Sequence, residues 1–189
     1  IFTVITVNYN TADFIGVMLY ALQSLSRYRY KVIICDNGSS QRDIASLAKI
    51  AKRHKNIQVI FRQQSAPGSI GHGEALDTLV KEVATPYFVV MDADAVVLQK
   101  WWDAELLDRL KGNVKAVGTQ ASGNKPQDFP LMYVVAFDTK TFHKLDCSFG
   151  ARRKRIVNGR KLDTGWLIRE AYLSAGYSGE VIRAVNTRY

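Results

Sequence analysis

The 189-residue chain carries 47% hydrophobic residues and no low-complexity tract, so it is long enough and apolar enough to bury one continuous α/β core. No apolar run approaches the ~20 residues of a membrane-spanning helix, and two unclustered cysteines, Cys35 and Cys147, give neither a zinc pattern nor a disulfide framework. The net charge of +9, from 26 basic and 17 acidic residues, favours an anionic partner without choosing among nucleic acid, a membrane surface and phosphorylated substrates.

Phe2 to Val7 (FTVITV) is a β-branched run of the kind found in buried parallel strands, broken by Asn8-Tyr9-Asn10-Thr11. Phe14, Val17, Met18, Ala21, Leu22 and Leu25 then recur at helical spacing. Lys31 to Cys35 reads as a second strand ending at Asp36-Asn37-Gly38-Ser39. Ser40 with Asp43 resembles a capping box, and Ile44, Leu47, Ala48 and Ala51 share one face of the next helix. A third strand spans Ile57 to Phe61. Leu76, Leu79, Val80 and Val83 predict a third helix, opened by Gly71-His72-Gly73. Tyr87 to Met91 is the fourth strand, closed by Asp92-Ala93-Asp94.

Beyond this point the rhythm changes. A Trp-rich helix is expected over about residues 100 to 111, a short strand at Ala116 to Thr119, and a polar loop at Ala121 to Pro130. A strand at Leu131 to Asp138, a short helix capped by Thr139, and a basic loop at Arg152 to Lys161 follow. A helix from about Asp163 to Gly176 and a strand at Glu180 to Val185 complete the reading. One mixed-sheet α/β domain accounts for the pattern.

In open α/β sheets ligands bind beyond the carboxyl ends of the strands, and three of the four early strands end there in polar groups. Asp92 and Asp94 stand two apart, so on an extended strand both carboxylates would face one side and would need a cation between them. Mg2+ or Mn2+ with substrate phosphates on its open positions meets that need; the bland reading of a single D-x-D is a solvated acidic turn. Asp36 suits an Asx turn with Gly38 or a cap for the following helix, and also a hydrogen bond to a base or ribose, roles that are compatible; Tyr9 either packs or stacks on the base. Gly71 and Gly73 lack the G-x-G-x-x-G spacing of a dinucleotide site, yet glycines at a helix start let backbone N–H groups approach a phosphate. His72 is a lesser candidate for the same site lining. Trp101 and Trp102 are adjacent on a helix and face different ways, so at least one is packing. Asp163 before a helical run is most simply an N-cap.

The segments VITVNYNTADF, VIICDNGSS, the Gly-rich helix entry and TPYFVVMDADAVVL, followed by LMYVVAFDTKTFHKLDCSF and LDTGWLIREAYLSAGY, resemble glycosyltransferase family 2 across nearly the whole chain. VNYN and DNGSS resemble most closely its rhamnosyl- and polysaccharide-building branch. The resemblance implies an inverting enzyme of the GT-A fold, with a nucleotide-sugar half (1–98) and an acceptor half (99–189); the start at Ile1 rather than at a methionine leads one to expect a chain truncated relative to the natural protein. It implies that Val7, Asn8, Tyr9 and Asp36 hold the nucleotide base, and that Gly71, Gly73, Asp92 and Ala93 line the nucleotide-sugar site. It places the divalent metal on Asp92 and Asp94, and the catalytic base at Asp163. The family's Glu-Asp pair is Leu162-Asp163 here. The histidine that often completes the family's metal site would lie downstream of His54, His72 and His143.

The implied donor is a UDP- or dTDP-linked sugar, and the acceptor a saccharide or lipid-linked saccharide. The basic loop is most simply a solvated face, and its place bordering the acceptor side points otherwise to a phosphorylated acceptor or an anionic membrane surface. A cytoplasmic location with peripheral membrane contact is expected. Two rivals are a sugar-phosphate nucleotidyltransferase, which would carry a basic loop after the first strand where this chain has NYNTADF, and a non-catalytic nucleotide-sugar-binding module. Nucleic-acid binding has no recognisable motif here.

Overall fold

The computed structural model describes residues 1–120, 126–130, 132–150, 156–157, 160–161 and 164–182. The first half alternates strand and helix: β1 (Phe2–Asn8), α1 (Ala12–Leu25), β2 (Tyr30–Asn37), α2 (Gln41–Ala51), β3 (Ile57–Arg62), α3 (Gly68–Val80) and β4 (Tyr87–Met91). The second half holds α4 (Trp102–Leu107), β5 (Val114–Thr119), β6 (Val134–Asp138), α5 (Thr139–Lys144), β7 (Ile156–Val157), β8 (Arg160–Lys161), α6 (Trp166–Ser174) and β9 (Ser178–Ile182). Seven strands form one sheet in the order β3-β2-β1-β4-β6-β5-β9, and β7 pairs with β8 separately. β1 runs parallel to β2 and β4, and β2 parallel to β3, as helical crossovers require. β6 enters antiparallel between β4 and β5, which makes the sheet mixed.

Alternation along each strand feeds two cores, one on each face. Phe2, Val4, Val32, Ile34 and Val89 pack beneath α1, α2 and α4 through Leu22, Leu47 and Leu106. Ile5, Ile33, Phe88 and Val90 pack beneath α3, and Phe137, Phe142, Phe149 and Tyr172 extend that core towards α5 and α6. Within it, Phe88 stacks on Phe137 with centroids 5.2 Å apart, and Phe142 stacks on Phe149 at 5.1 Å. Among the described residues no helix is long and apolar enough to cross a membrane.

Several sequence expectations shift. α1 buries Ile15, Met18, Leu19 and Leu22, while Phe14 and Val17 point to solvent; its apolar residues surround the helix, so periodicity alone does not select the face. α4 is shorter than expected because it starts at Trp102, after Trp101 adopts a left-handed backbone (φ 63°). β6 begins at Val134, since Met132 and Tyr133 form a turn. The short helix is capped by Asp138, whose Oδ1 accepts the Thr141 N–H at 2.7 Å, and Thr139 is its first residue. Only one half of the capping box at α2 forms: Ser40 Oγ accepts the Asp43 N–H, while the Ser40 N–H donates to Asn10 and the Asp43 carboxylate accepts from Asn8 and Ala12. α6 starts at Trp166 with Gly165 as N-cap, so the cap expected of Asp163 falls to another residue.

Candidate functional site

Parallel pairing brings the carboxyl ends of β1, β2, β3 and β4 to one edge. Asn8 lies beside Asp36, and Asn37 beside Arg62. Counting on from the Ile5–Val90 pair sets Asp92 level with Val7. The polar segments expected to converge therefore do so.

Alternation decides which way each side chain turns. Asn8 and Asp36 continue the rows Phe2-Val4 and Val32-Ile34, so both face α1 and α2. Asn8, fully buried, is the hub: its Nδ2 donates to Asp36 Oδ2 (2.7 Å), Asp43 Oδ2 (2.6 Å) and Ser39 Oγ (3.1 Å). Its Oδ1 accepts the Thr11 N–H and hydroxyl. Asp43 Oδ1 accepts the Ala12 N–H at the start of α1, and Asp36 Oδ1 accepts the Gly38 and Ser39 N–H groups in an Asx turn. Asn10, left-handed at φ 57°, accepts the Ser40 N–H. These bonds tie the loop after β1 to the loop after β2. Asp36 is 1% exposed with both oxygens engaged, so its carboxylate shapes the site from within. Tyr9 is the opposite case: its ring is 52% exposed at the same edge.

The turn after β4 also departs from expectation. The strand stops at Met91, the Asp92 N–H donates to Tyr133 O, and the Ala95 N–H closes a turn on Asp92 O at 2.9 Å. The extended backbone that was to put both carboxylates on one side is absent, and Asp92 and Asp94 share a turn instead. Asp94 is exposed, and Asp92 and Ala93 are half-buried. Among the described residues no three His, Cys, Asp or Glu side chains group as a metal site. Two hard oxygen donors on a solvent-facing turn suit a cation that takes its remaining ligands from phosphate and water.

Gly71 and Gly73 lie inside α3, both buried, and their lack of a side chain has a packing cause. A Cβ on Gly71 would overlap the Ala66 carbonyl, and one on Gly73 the Phe149 carbonyl. His72 between them is half-buried. Arg62, which sequence reasoning passed over, ends β3 at this edge: it pairs with Glu74 at 3.2 Å, and Nη1 donates to Gly71 O. The signal was a fourth strand closing in a charged residue beside three that close in polar ones. Asn37 Nδ2 also donates to Gly71 O, and its Oδ1 is buried with no hydrogen-bond partner among the described residues.

The second half approaches through residues 147–150. Asp77 on α3 accepts the Ser148 hydroxyl (2.6 Å) and the Phe149 N–H (2.7 Å), and Phe149 O accepts the Gly165 N–H. Burial raises the Asp77 carboxyl above its ordinary value, against the lowering effect of these bonds. Asp163, Leu162 and Arg152 to Arg155 lie outside the described residues, as do the side chains of Arg160 and Lys161. Trp102 is buried, with its indole N–H on Ser26 Oγ, whereas Trp101 is exposed beneath Arg27 and Lys100. Burial pushes the Cys35 thiol up to about 11, as expected of a core cysteine.

The family model described as "Glycosyl transferase family 2" matches residues 3–175. Among solved structures, a mannosyltransferase from Pyrobaculum calidifontis in complex with GDP-Man and Mn2+ is 19% identical, with a TM-score of 0.75 over 97% of this chain and 55% of its own. Residues 1–349 of TarS from S. aureus in complex with UDP are 16% identical, with a TM-score of 0.66 over all of this chain and 59% of theirs. A teichoic acid poly(glycerol phosphate) polymerase of Staphylococcus epidermidis is 29% identical over 93 residues, which is 49% of this chain and 12% of that protein. The chain thus spans little more than half the length of the solved relatives and a small part of the curated one.

Proposed function

The chain belongs to glycosyl transferase family 2 and has the GT-A fold, and from that premise we propose that it is the catalytic domain of an inverting glycosyltransferase. It would move a sugar from a UDP- or dTDP-linked donor to a hydroxyl of a saccharide or lipid-linked saccharide, in polysaccharide or glycoconjugate synthesis. The observation that carries this reading is the meeting of Tyr9, the Asn8–Asp36 network, Arg62 and the Asp92–Asp94 turn at one carboxyl edge of four parallel strands. The complexes of the mannosyltransferase with GDP-Man and of TarS with UDP support a nucleoside diphosphate as the ligand.

Residues 1–98 would bind the donor and 99–189 the acceptor. Tyr9 offers an exposed face to the base, on a loop held by Asn8, Asp36 and Asp43. Asp92 and Asp94 would hold Mn2+ or Mg2+, which supplies positive charge to offset that building on the departing diphosphate. Asp163 would take the proton from the acceptor hydroxyl as its oxygen bonds to the anomeric carbon from the face opposite the leaving group. The anomeric carbon–phosphate oxygen bond breaks, and the electron pair leaves with the nucleoside diphosphate.

Thermal shift with UDP, dTDP and GDP, with and without Mn2+, tests the donor half. Asp94→Ala should remove the metal-dependent part of the shift, and Asp163→Ala should abolish transfer while leaving donor binding. A chain that no nucleoside diphosphate stabilises under either condition would overturn the reading. One that binds donors yet neither hydrolyses nor transfers them would be a binding module.

A further inference from the structure

The edge opposite the proposed donor site holds a second concavity. The amino ends of β1, β2 and β3, with the turns that follow α1, α2 and α3, enclose a cleft of about 850 Å3. That volume falls within the ordinary range of ligand sites. Arg27, Arg29, Lys31, Arg53 and Lys55 line it, and Glu82 is the one carboxylate among its lining residues. The cleft therefore carries a local excess of four positive charges, close to half of the chain's net +9.

Two ordinary explanations fall short. Cations commonly sit at helix carboxyl ends to offset the dipole, but three such ends amount to roughly 1.5 negative charges in all. Neutralisation by acidic neighbours fails as well: none of the five is ion-paired among the described residues, and Arg27 instead lies 5.6 Å over each of the Tyr28 and Trp101 rings. Beneath the charges the framework is fixed. Asn56 Nδ2 donates to Tyr30 O, the Thr3 and Thr85 hydroxyls bond each other at 2.7 Å, and Thr85 Oγ1 donates to Tyr87 O. Three arginines, whose guanidinium forks match phosphate oxygens in pairs, are among its lining residues. A flat bilayer does not enter a concave cleft, whereas a soluble phosphate cluster or a phosphodiester chain does.

We propose that this cleft is an anion site for a ligand presenting clustered phosphate groups, separate from the donor site and on the reverse edge of the sheet. The full chain, in metal-free buffer, should bind tripolyphosphate more tightly than orthophosphate, with affinity that falls as salt rises. Arg29→Gln, Arg53→Gln and Lys55→Gln together should weaken that binding by about tenfold or more. Lys49→Gln, Lys111→Gln and Lys140→Gln remove the same charge elsewhere on the surface and should leave it nearly intact; all six residues are exposed, so both variants should keep the fold. Asp94→Ala should bind tripolyphosphate as the unaltered chain does, which separates failure here from failure of the donor-site reading. Tighter binding per phosphate by a glycerol-phosphate oligomer would assign the cleft to a phosphodiester chain, and tighter binding by tripolyphosphate to a small phosphate cluster. Equal losses in the two triple variants would mean diffuse charge attraction and overturn the proposal. Absence of tripolyphosphate binding, or binding of phosphatidylglycerol vesicles alone, would do the same.

Discussion

Asn8 is the residue on which the proposed donor edge turns. Its amide reaches two carboxylates and a serine, all partly or fully out of water, and buried acceptors stripped of their donor keep the full cost of desolvation. Asn8→Ala should therefore lower the free energy of unfolding by about 2–4 kcal/mol in urea titrations, because the Asp36 and Asp43 carboxylates both lose a donor. A loss within experimental error would mean that water replaces the amide. Asp94 is the contrasting residue: exposed, and with little to contribute to the fold. Asp94→Asn should leave the melting temperature of the ligand-free chain unchanged and reduce the rate of metal-dependent transfer by ~100-fold or more. Unreduced transfer by this variant would show that the metal is held elsewhere. Asn8 and Asp36 share the parity of the core rows before them, but both faces of β1 and β2 are buried, so only the structure shows that these rows face α1 and α2. The turn at Asp92 was not readable, because side-chain alternation holds only while the strand lasts.

At the scale of elements, α3 carries the join between the two halves. Gly73 lets the helix approach the Phe149 carbonyl, and a methyl there meets backbone, which cannot rotate away. Gly73→Ala should cost about 1–3 kcal/mol by overpacking. Gly112 (φ 54°) has nothing within 4 Å of an added Cβ, so Gly112→Ala should cost the left-handed backbone strain alone, roughly 1 kcal/mol. Equal losses would mean that α3 shifts to make room. One turn on, Asp77 fixes the backbone of Phe149. Its raised carboxyl means that the native chain keeps this proton to higher pH than the unfolded chain. The group's contribution to stability is thus complete below the unfolded value and is lost as pH rises through the folded one. Asp77→Asn keeps an acceptor for the Phe149 N–H and removes the titration. The unfolding free energy of the unaltered chain relative to this variant should fall between acid and neutral pH, and a pH-independent difference would refute the assignment. No periodicity pointed to this contact, since it joins residues 72 positions apart.

For the molecule as a whole, the sequence disclosed the parallel half more fully than the rest. Buried parallel strands are continuous β-branched runs with sharp polar ends, so β1, β2 and β4 and their common edge could be read directly. The second half is mixed, its strands short and its helices capped by unexpected residues, and its pairing depends on contacts distant in sequence. The basic cleft escaped notice for the same reason. Its cations come from two separate turns and the start of β2, which look, along the chain, like ordinary solvated helix ends. A sheet with one charged site at each edge makes a specific demand, because the two sites share a rigid core and no residues. UDP with Mn2+ at a hundred times its dissociation constant should stabilise the chain by about 2.7 kcal/mol through mass action. That gain should be the same in the Arg29, Arg53 and Lys55 triple variant, since well-separated sites add. Thermal unfolding of the two proteins with and without nucleotide measures it. A gain that shrinks in the variant would mean that charge at the amino ends of the strands reaches the donor site through the sheet.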